Sequence, residues 1–107
     1  MAEMGLSQAE HAVWAQRNLE AYRGELERFR ASINRQRCDV AALLEMYRHA
    51  YGTEINAKDA GNEQLAAWAA EARKSILGFL TRACRGRITH KMCGQWWGRT
   101  EAKLRAP

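Results

Sequence analysis

Apolar side chains recur every three or four residues through the first half of the chain. The repeat runs from Ala12 to Ala50 and is interrupted at one polar position, Gln36. A spacing that averages 3.5 residues is typical of a coiled-coil seam. We therefore predict a long heptad helix over residues 7–51, which would form a homodimer. The side chains expected to mediate self-association are Leu19, Tyr22, Leu26, Phe29, Ile33, Val40, Leu43 and Tyr47.

Local signals mark the ends of this helix and one weak point within it. Ser7 and Glu10 have the spacing of a capping box, and Gly52 suits the residue that follows a helix C-terminus. A continuous helix would be about 67 Å long, far longer than a small globule, so it requires a second chain. Alternatively, the helix breaks near residues 34–39 and Asp39 caps a new one. That break would give a folded-back bundle with the seam inside one chain. We favour the continuous helix because the heptad phase survives across the weak point.

Two shorter amphipathic helices are expected in the second half. Residues 53–61 are predicted to form a linker, followed by a second helix over 62–85 and a basic third helix over 89–105. No segment shows the alternation that strands require. The fold class is therefore all-α, with residues 1–107 forming a single helical domain, as a bundle or a dimer.

Charge is distributed very unevenly along the chain. The net charge is +5, but residues 72–107 alone contain nine Lys and Arg and a single Glu. A concentrated basic segment is typical of a protein that contacts a polyanion. Two neighbouring tryptophans in this segment offer aromatic faces that could stack on bases, although a core role for them is also open. The candidate nucleic-acid-binding residues are Arg73, Lys74, Arg82, Arg85, Arg87, Lys91, Trp96, Trp97, Arg99, Lys103 and Arg105.

The cysteines suggest neither a secreted scaffold nor a metal site. Cys38, Cys84 and Cys93 are odd in number and irregularly spaced, so we expect reduced thiols. His90 lies between the last two cysteines, but no C-x-x-C pair is present, which makes structural or free cysteines a better interpretation than zinc. His90 and Cys93 are spaced to touch on one helix face, but a small helical chain offers little enclosure for a nucleophile.

Other function classes receive little support from the sequence. No apolar stretch approaches the length of a membrane span, and the N-terminus does not resemble a signal peptide, so a cytoplasmic protein is expected. No phosphate-binding loop or catalytic motif is present. We expect a non-enzymatic protein that uses no cofactor and no metal.

Two functions from different classes remain open. The first is a DNA- or RNA-binding homodimer that acts as a regulatory or architectural accessory factor. The second is a protein-binding inhibitor or adaptor, such as a phage- or plasmid-type accessory protein, which covers an acidic surface of its partner. The two are distinguished by where the seam is buried and by what the basic third of the chain binds.

Overall fold

The computed structural model describes residues 5–105 and 107, and within them it contains four α-helices and no strand. The helices are α1 (Gln8–Asn34), α2 (Val40–Asp59), α3 (Glu63–Cys84) and α4 (His90–Arg105). Successive helices run in opposite directions. Each helix packs against the next one along the chain, and α4 also packs against α1. The bundle measures 54 × 24 × 20 Å. Because α4 is the shortest helix, it covers only part of the bundle's length.

The prediction of one helix over residues 7–51 was wrong, because the chain turns back between α1 and α2. Gln36 has a φ of +55°, a left-handed conformation that ends the helix. The Ser32 hydroxyl donates to the Phe29 carbonyl at 2.7 Å and accepts from the Asp39 backbone N–H at 3.2 Å. Asp39 then caps α2, its carboxylate accepting from the Ala42 N–H at 3.0 Å. The helix break that the sequence offered as an alternative is the observed arrangement.

The apolar seam is buried within the single chain. Five of its side chains are buried in the core, and three others are partly buried against it. These residues therefore present no continuous apolar surface to a second copy, and the coiled-coil dimer lacks the interface on which it was predicted. The buried five are Leu19, Tyr22, Leu26, Phe29 and Leu43, and the partly buried three are Ile33, Val40 and Tyr47.

The predicted linker over residues 53–61 was also wrong, since α2 continues through it to Asp59. The turn is shorter and lies at Gly61, which has a φ of +81°, with Asn62 capping α3 through the Leu65 N–H. Gly52 does not end a helix. It lies inside α2 opposite Asn18 of α1, where a Cβ atom would come within 2.5 Å of the Asn18 amide oxygen. The glycine that suggested a helix end therefore leaves space for the Asn18 side chain.

Gly52→Ala is expected to lower the free energy of unfolding by about 1 kcal/mol. Crowding at a packed contact costs about 1–3 kcal/mol, which outweighs the gain of about 1 kcal/mol from replacing a helical glycine. Relief of the clash would move the Asn18 amide, which donates to the Trp14 carbonyl at 2.9 Å. Gly24→Ala is the matched control, since no atom lies near its added Cβ. Urea unfolding should show the control stabilised; equal stabilisation of both variants would show that the Asn18 side chain does not restrict a Cβ atom at residue 52.

The fourth helix supplies the largest side chains of the core. Trp96 stacks on Phe79 of α3 with ring centroids 4.7 Å apart, while Trp97 meets Phe29 of α1 edge-on at 5.2 Å. Near the end of α4, the Tyr22 hydroxyl donates to the Leu104 carbonyl at 2.8 Å. Burial raises the pKa of the Tyr22 phenol, which keeps the hydroxyl protonated as a donor. These contacts hold α4 in the groove between α1 and α3.

A disulfide joins the α1–α2 turn to α4. Cys38 and Cys93 are bonded, with their Cα atoms 6.0 Å apart, whereas Cys84 is an exposed thiol. The expectation of reduced thiols was therefore wrong for two of the three cysteines. The bond also removes Cys93 from the thiol–imidazole pair with His90 and takes two thiolates from the zinc alternative. In the described part of the chain, no three His, Cys, Asp or Glu side chains come together as a metal site.

None of the helices described over residues 5–105 is both long and apolar enough to cross a membrane.

Candidate nucleic-acid interface

The two tryptophans proposed to stack on bases belong to the core. Trp96 is 2% exposed and Trp97 is 5% exposed, and both pack against phenylalanine rings of neighbouring helices. Neither ring is accessible to a base unless α4 leaves the bundle. Their assignment as nucleic-acid-binding residues was therefore wrong, and the core interpretation that the sequence also allowed is the observed one.

Arg73 is engaged by acidic and aromatic groups of α2. Its guanidinium bonds the Glu54 carboxylate through two nitrogens and lies 5.1 Å from the centre of the Tyr51 ring. The hydrogen bond from Arg73 lowers the pKa of Glu54, so the pair remains ionised at neutral pH. Arg73 therefore fastens α3 to α2 rather than presenting a free charge.

Arg105, at the end of α4, is also paired with carboxylates. It donates to Glu27 of α1 at 2.6 Å and to Glu101 at 2.7 Å. The hydrogen bond from Arg105 lowers the pKa of the Glu27 carboxyl group. Arg30 lies 3.7 Å from Glu101 and extends this ion-pair network. The one acidic residue of the basic segment is thus paired on the α1 side.

Five of the candidate cations line another surface, formed by the outer sides of α3 and α4. This surface, here called the basic face, contains two adjoining depressions that share Lys74. Only Lys74 has a described carboxylate within 4 Å, that of Glu71 at 3.8 Å, and both side chains are exposed. The five cations are Lys74, Arg82, Arg85, Arg99 and Lys103.

Helix geometry explains why adjacent basic residues have different surroundings. Neighbouring residues on an α-helix point about 100° apart, so Arg73 faces α2 while Lys74 faces outward. Lys74, Arg82 and Arg85 are separated by steps of eight and three residues, which keeps them on one stripe of α3. The position of each cation around the helix therefore determines whether it forms an ion pair with a neighbouring helix or faces the solvent.

The remaining two candidates lie at the end of the bundle. Arg87 is exposed in the turn that connects α3 to α4, and Lys91 is exposed in the first turn of α4. Thr89 begins that helix, because its hydroxyl accepts from the Met92 N–H at 3.2 Å. Neither cation lines the two depressions of the basic face.

The larger depression is an open cleft between α3 and α4, here called the α3–α4 cleft, with a volume of about 690 Å³. Its apolar lining comes from Ala67, Trp68, Ala72 and Leu104. The size falls within the range of sites that bind small organic groups. The cleft thus combines an apolar floor with the cations of the basic face.

The charged and hydroxylic groups of the cleft come from both helices. Lys74 and Ser75 belong to α3, whereas Arg99, Thr100 and Lys103 belong to α4. The Thr100 hydroxyl donates to the Trp96 carbonyl at 2.7 Å, which leaves its oxygen able to accept a further bond. Both positive charge and hydrogen-bonding groups therefore surround the apolar floor.

Trp68 is the aromatic residue of this surface that the sequence did not single out. It lies three residues after Leu65 and four before Ala72, in the apolar spacing of an amphipathic helix. The structure leaves it half-buried, with part of the indole lining the cleft. Its Nε1–H donates to the Lys103 carbonyl at 3.0 Å, and its ring meets Tyr22 edge-on at 5.2 Å.

Comparison with known protein families, with curated proteins and with solved structures finds no match for this chain.

Proposed function

We propose that this protein binds nucleic acid through the basic face. The observation that carries the proposal is the gathering of five cations around two adjoining depressions with a single carboxylate, that of Glu71, among the lining side chains. Arg73 and Arg105 of the same segment are instead paired, Arg73 with Glu54 and Arg105 with Glu27 and Glu101. Four of the five cations, all except Lys74, have no described carboxylate within 4 Å, so their charge is available to a polyanion.

The dimensions of the basic face suit a phosphate backbone. Lys74 and Arg85 are eleven residues apart on α3, which corresponds to about 16 Å along the helix. Successive phosphates of a strand in a duplex advance by about 3.4 Å along the axis, so this stripe extends over several nucleotides. Arg99 and Lys103 provide a second row on α4. Binding releases the counterions condensed on the strand, which favours association.

The side chains of this surface favour binding rather than catalysis. The cations provide charge, Ser75 and Thr100 provide hydroxyl groups, and the apolar residues provide contact area. A regulatory or architectural role through backbone contacts is consistent with these groups. The proposal needs only one chain, because all five cations belong to one bundle.

The test is a fluorescence-anisotropy titration of short single-stranded and double-stranded oligonucleotides at several salt concentrations. If all five cations contact phosphates, log Kd for the single strand should change with log salt with a slope of about 3.5. The triple variant Lys74→Ala, Arg82→Ala, Arg85→Ala should reduce that slope by about 2 and weaken binding at least about tenfold near physiological salt.

A control variant removes the same charge from α1 and α2. Arg17→Ala, Arg48→Ala, Lys58→Ala replaces three exposed cations and should leave most of the affinity intact. Equal losses in the two triple variants would show that net charge, not the basic face, governs binding. Absence of oligonucleotide binding at low salt, together with binding of polyglutamate, would overturn the proposal in favour of an acidic protein partner.

A further inference from the structure

The α3–α4 cleft combines an aromatic ring that is fixed in place with cations on either side. The Trp68 indole is oriented by its hydrogen bond to the Lys103 carbonyl and by edge-on contact with Tyr22. The Tyr22 hydroxyl in turn bonds the Leu104 carbonyl. Two hydrogen bonds to the last turn of α4 therefore hold the aromatic pair, so little side-chain freedom is lost when a ligand contacts the indole.

The chemistry of the cleft fits a flat apolar group joined to negative charge. Ala67 and Trp68 provide the accessible apolar surface, while Lys74 and Arg99 provide charge at its edges. A nucleotide has both parts, because its base can contact an indole while its phosphate remains beside a cation. In a duplex the base faces are covered by stacking and their edges by pairing, so such a base must be unpaired.

The cations beyond the cleft indicate a strand rather than a free nucleotide. Arg82 and Arg85 line the neighbouring depression, which adjoins the cleft at Lys74. One phosphate group held beside Lys74 would not reach along this stripe, whereas the next phosphates of a strand would follow it. Charge complementarity over both depressions therefore points to a single strand as the occupant.

We propose that the α3–α4 cleft receives an unpaired base of a single-stranded nucleic acid, which contacts Trp68 while its flanking phosphates bind Lys74, Arg99 and Lys103. This inference rests on the proposed function and adds to it a preference for single strands. The duplex contacts only the cations, so its affinity depends on charge alone.

The first test compares three oligonucleotides of equal length with the wild-type protein. A short oligothymidylate should bind more tightly than a duplex and more tightly than a strand with abasic sites, which keeps the phosphates but lacks bases. Equal affinity for the single strand and the abasic strand, with a strong salt dependence for both, would overturn the base site and leave the proposed function standing. No salt-dependent binding of any of them would overturn both.

The second test uses substitutions in the cleft. Trp68→Leu should weaken oligothymidylate binding about 5- to 150-fold, the range seen when a stacked aromatic is removed, with an unchanged salt slope and unchanged duplex affinity. Trp68→Tyr keeps an aromatic face and should recover part of the affinity. Trp14→Leu is the matched control, because Trp14 is an exposed tryptophan on α1 outside the cleft.

Circular dichroism separates a binding defect from unfolding. If Trp68→Leu loses helical signal, the abasic-strand comparison decides the question, because it needs no substitution.

A competition experiment with thymidine monophosphate tests whether the cleft binds a strand or a free nucleotide. Displacement of the strand by the mononucleotide at an equal concentration of phosphate groups would show that the cleft binds a free nucleotide, and would overturn the assignment to a strand.

Discussion

Trp96→Ala is expected to lower the free energy of unfolding by about 3–5 kcal/mol, the usual cost of removing a buried aromatic residue. The ring is 2% exposed and fills the space between Phe79, on which it stacks, and Phe29, which it meets edge-on. Small domains unfold with about 5–15 kcal/mol, so a loss of this size removes a large part of the stability. Urea unfolding followed by far-ultraviolet circular dichroism measures it.

Trp14→Ala is the control for this substitution. Trp14 is 45% exposed on α1 and lies beside Arg17, whose guanidinium carbon is 5.1 Å from the ring centre. Substitutions at such surface positions usually change stability by about 0.5 kcal/mol or less. Comparable losses for the two tryptophans would show that α4 does not pack as described.

Removal of the Cys38–Cys93 disulfide is expected to destabilise the protein by about 2–4 kcal/mol. The bond closes a loop between residues 55 positions apart, and the unfolded chain gains conformational freedom when that loop opens. The variant Cys38→Ala, Cys93→Ala avoids placing new hydroxyl groups in the core. Its midpoint in urea should lie at or slightly below that of the reduced wild-type protein, because the substitution also removes the buried Cys93 sulfur.

Thiol counting and one further variant control this experiment. Under denaturing conditions, the oxidised wild-type protein should show one reactive thiol, and the reduced protein all three of its cysteines. Cys84→Ala should leave the urea midpoint unchanged, since Cys84 is exposed and not bonded. An identical midpoint for oxidised and reduced wild-type protein would contradict a stabilising bond.

A helix boundary could be predicted from the sequence where its capping hydrogen bonds join residues close together in the chain. The capping box of Ser7 and Glu10 was recognisable, as was Asp39 as the cap of the alternative, broken helix, and Ser7 and Asp39 each accept the expected backbone N–H. Such bonds join residues three positions apart, so nothing beyond the segment decides them. All-α architecture was predictable because helical periodicity and the lack of strand-like alternation are read from residues close in sequence.

The partner of the apolar seam was not predictable from spacing. A period of three and four residues indicates that Leu26 and Phe29 are buried, but an identical pattern serves a second chain or the same chain folded back. Gln36 and Gly52 show the difficulty in detail. The first ends α1 despite an intact heptad phase, and the second continues α2 despite being a glycine.

The sequence indicated that the candidate surface is rich in cations but not which of those cations lie together. The excess of cations over residues 72–107 was evident, but which of them are neutralised depends on acids distant in sequence, such as Glu54 for Arg73 and Glu27 for Arg105. The aromatic residue that lines the candidate surface is Trp68, whereas Trp96 and Trp97, which the sequence singled out, lie in the core. Only the packing of α4 against α3 decides which indole borders the cleft.

The dependence of the core on α4 has a consequence for synthesis of the chain. Trp96, Trp97 and Leu104 all enter the core from the last helix, and Tyr22 bonds a residue 82 positions later. A nascent chain that has emerged only through α3 has no side chains to cover Phe29 and Phe79 on the α4 side. Native packing around them must therefore wait until the residues of α4 leave the ribosome. Until then, the exposed aromatic groove is the surface through which the chain would bind chaperones or aggregate.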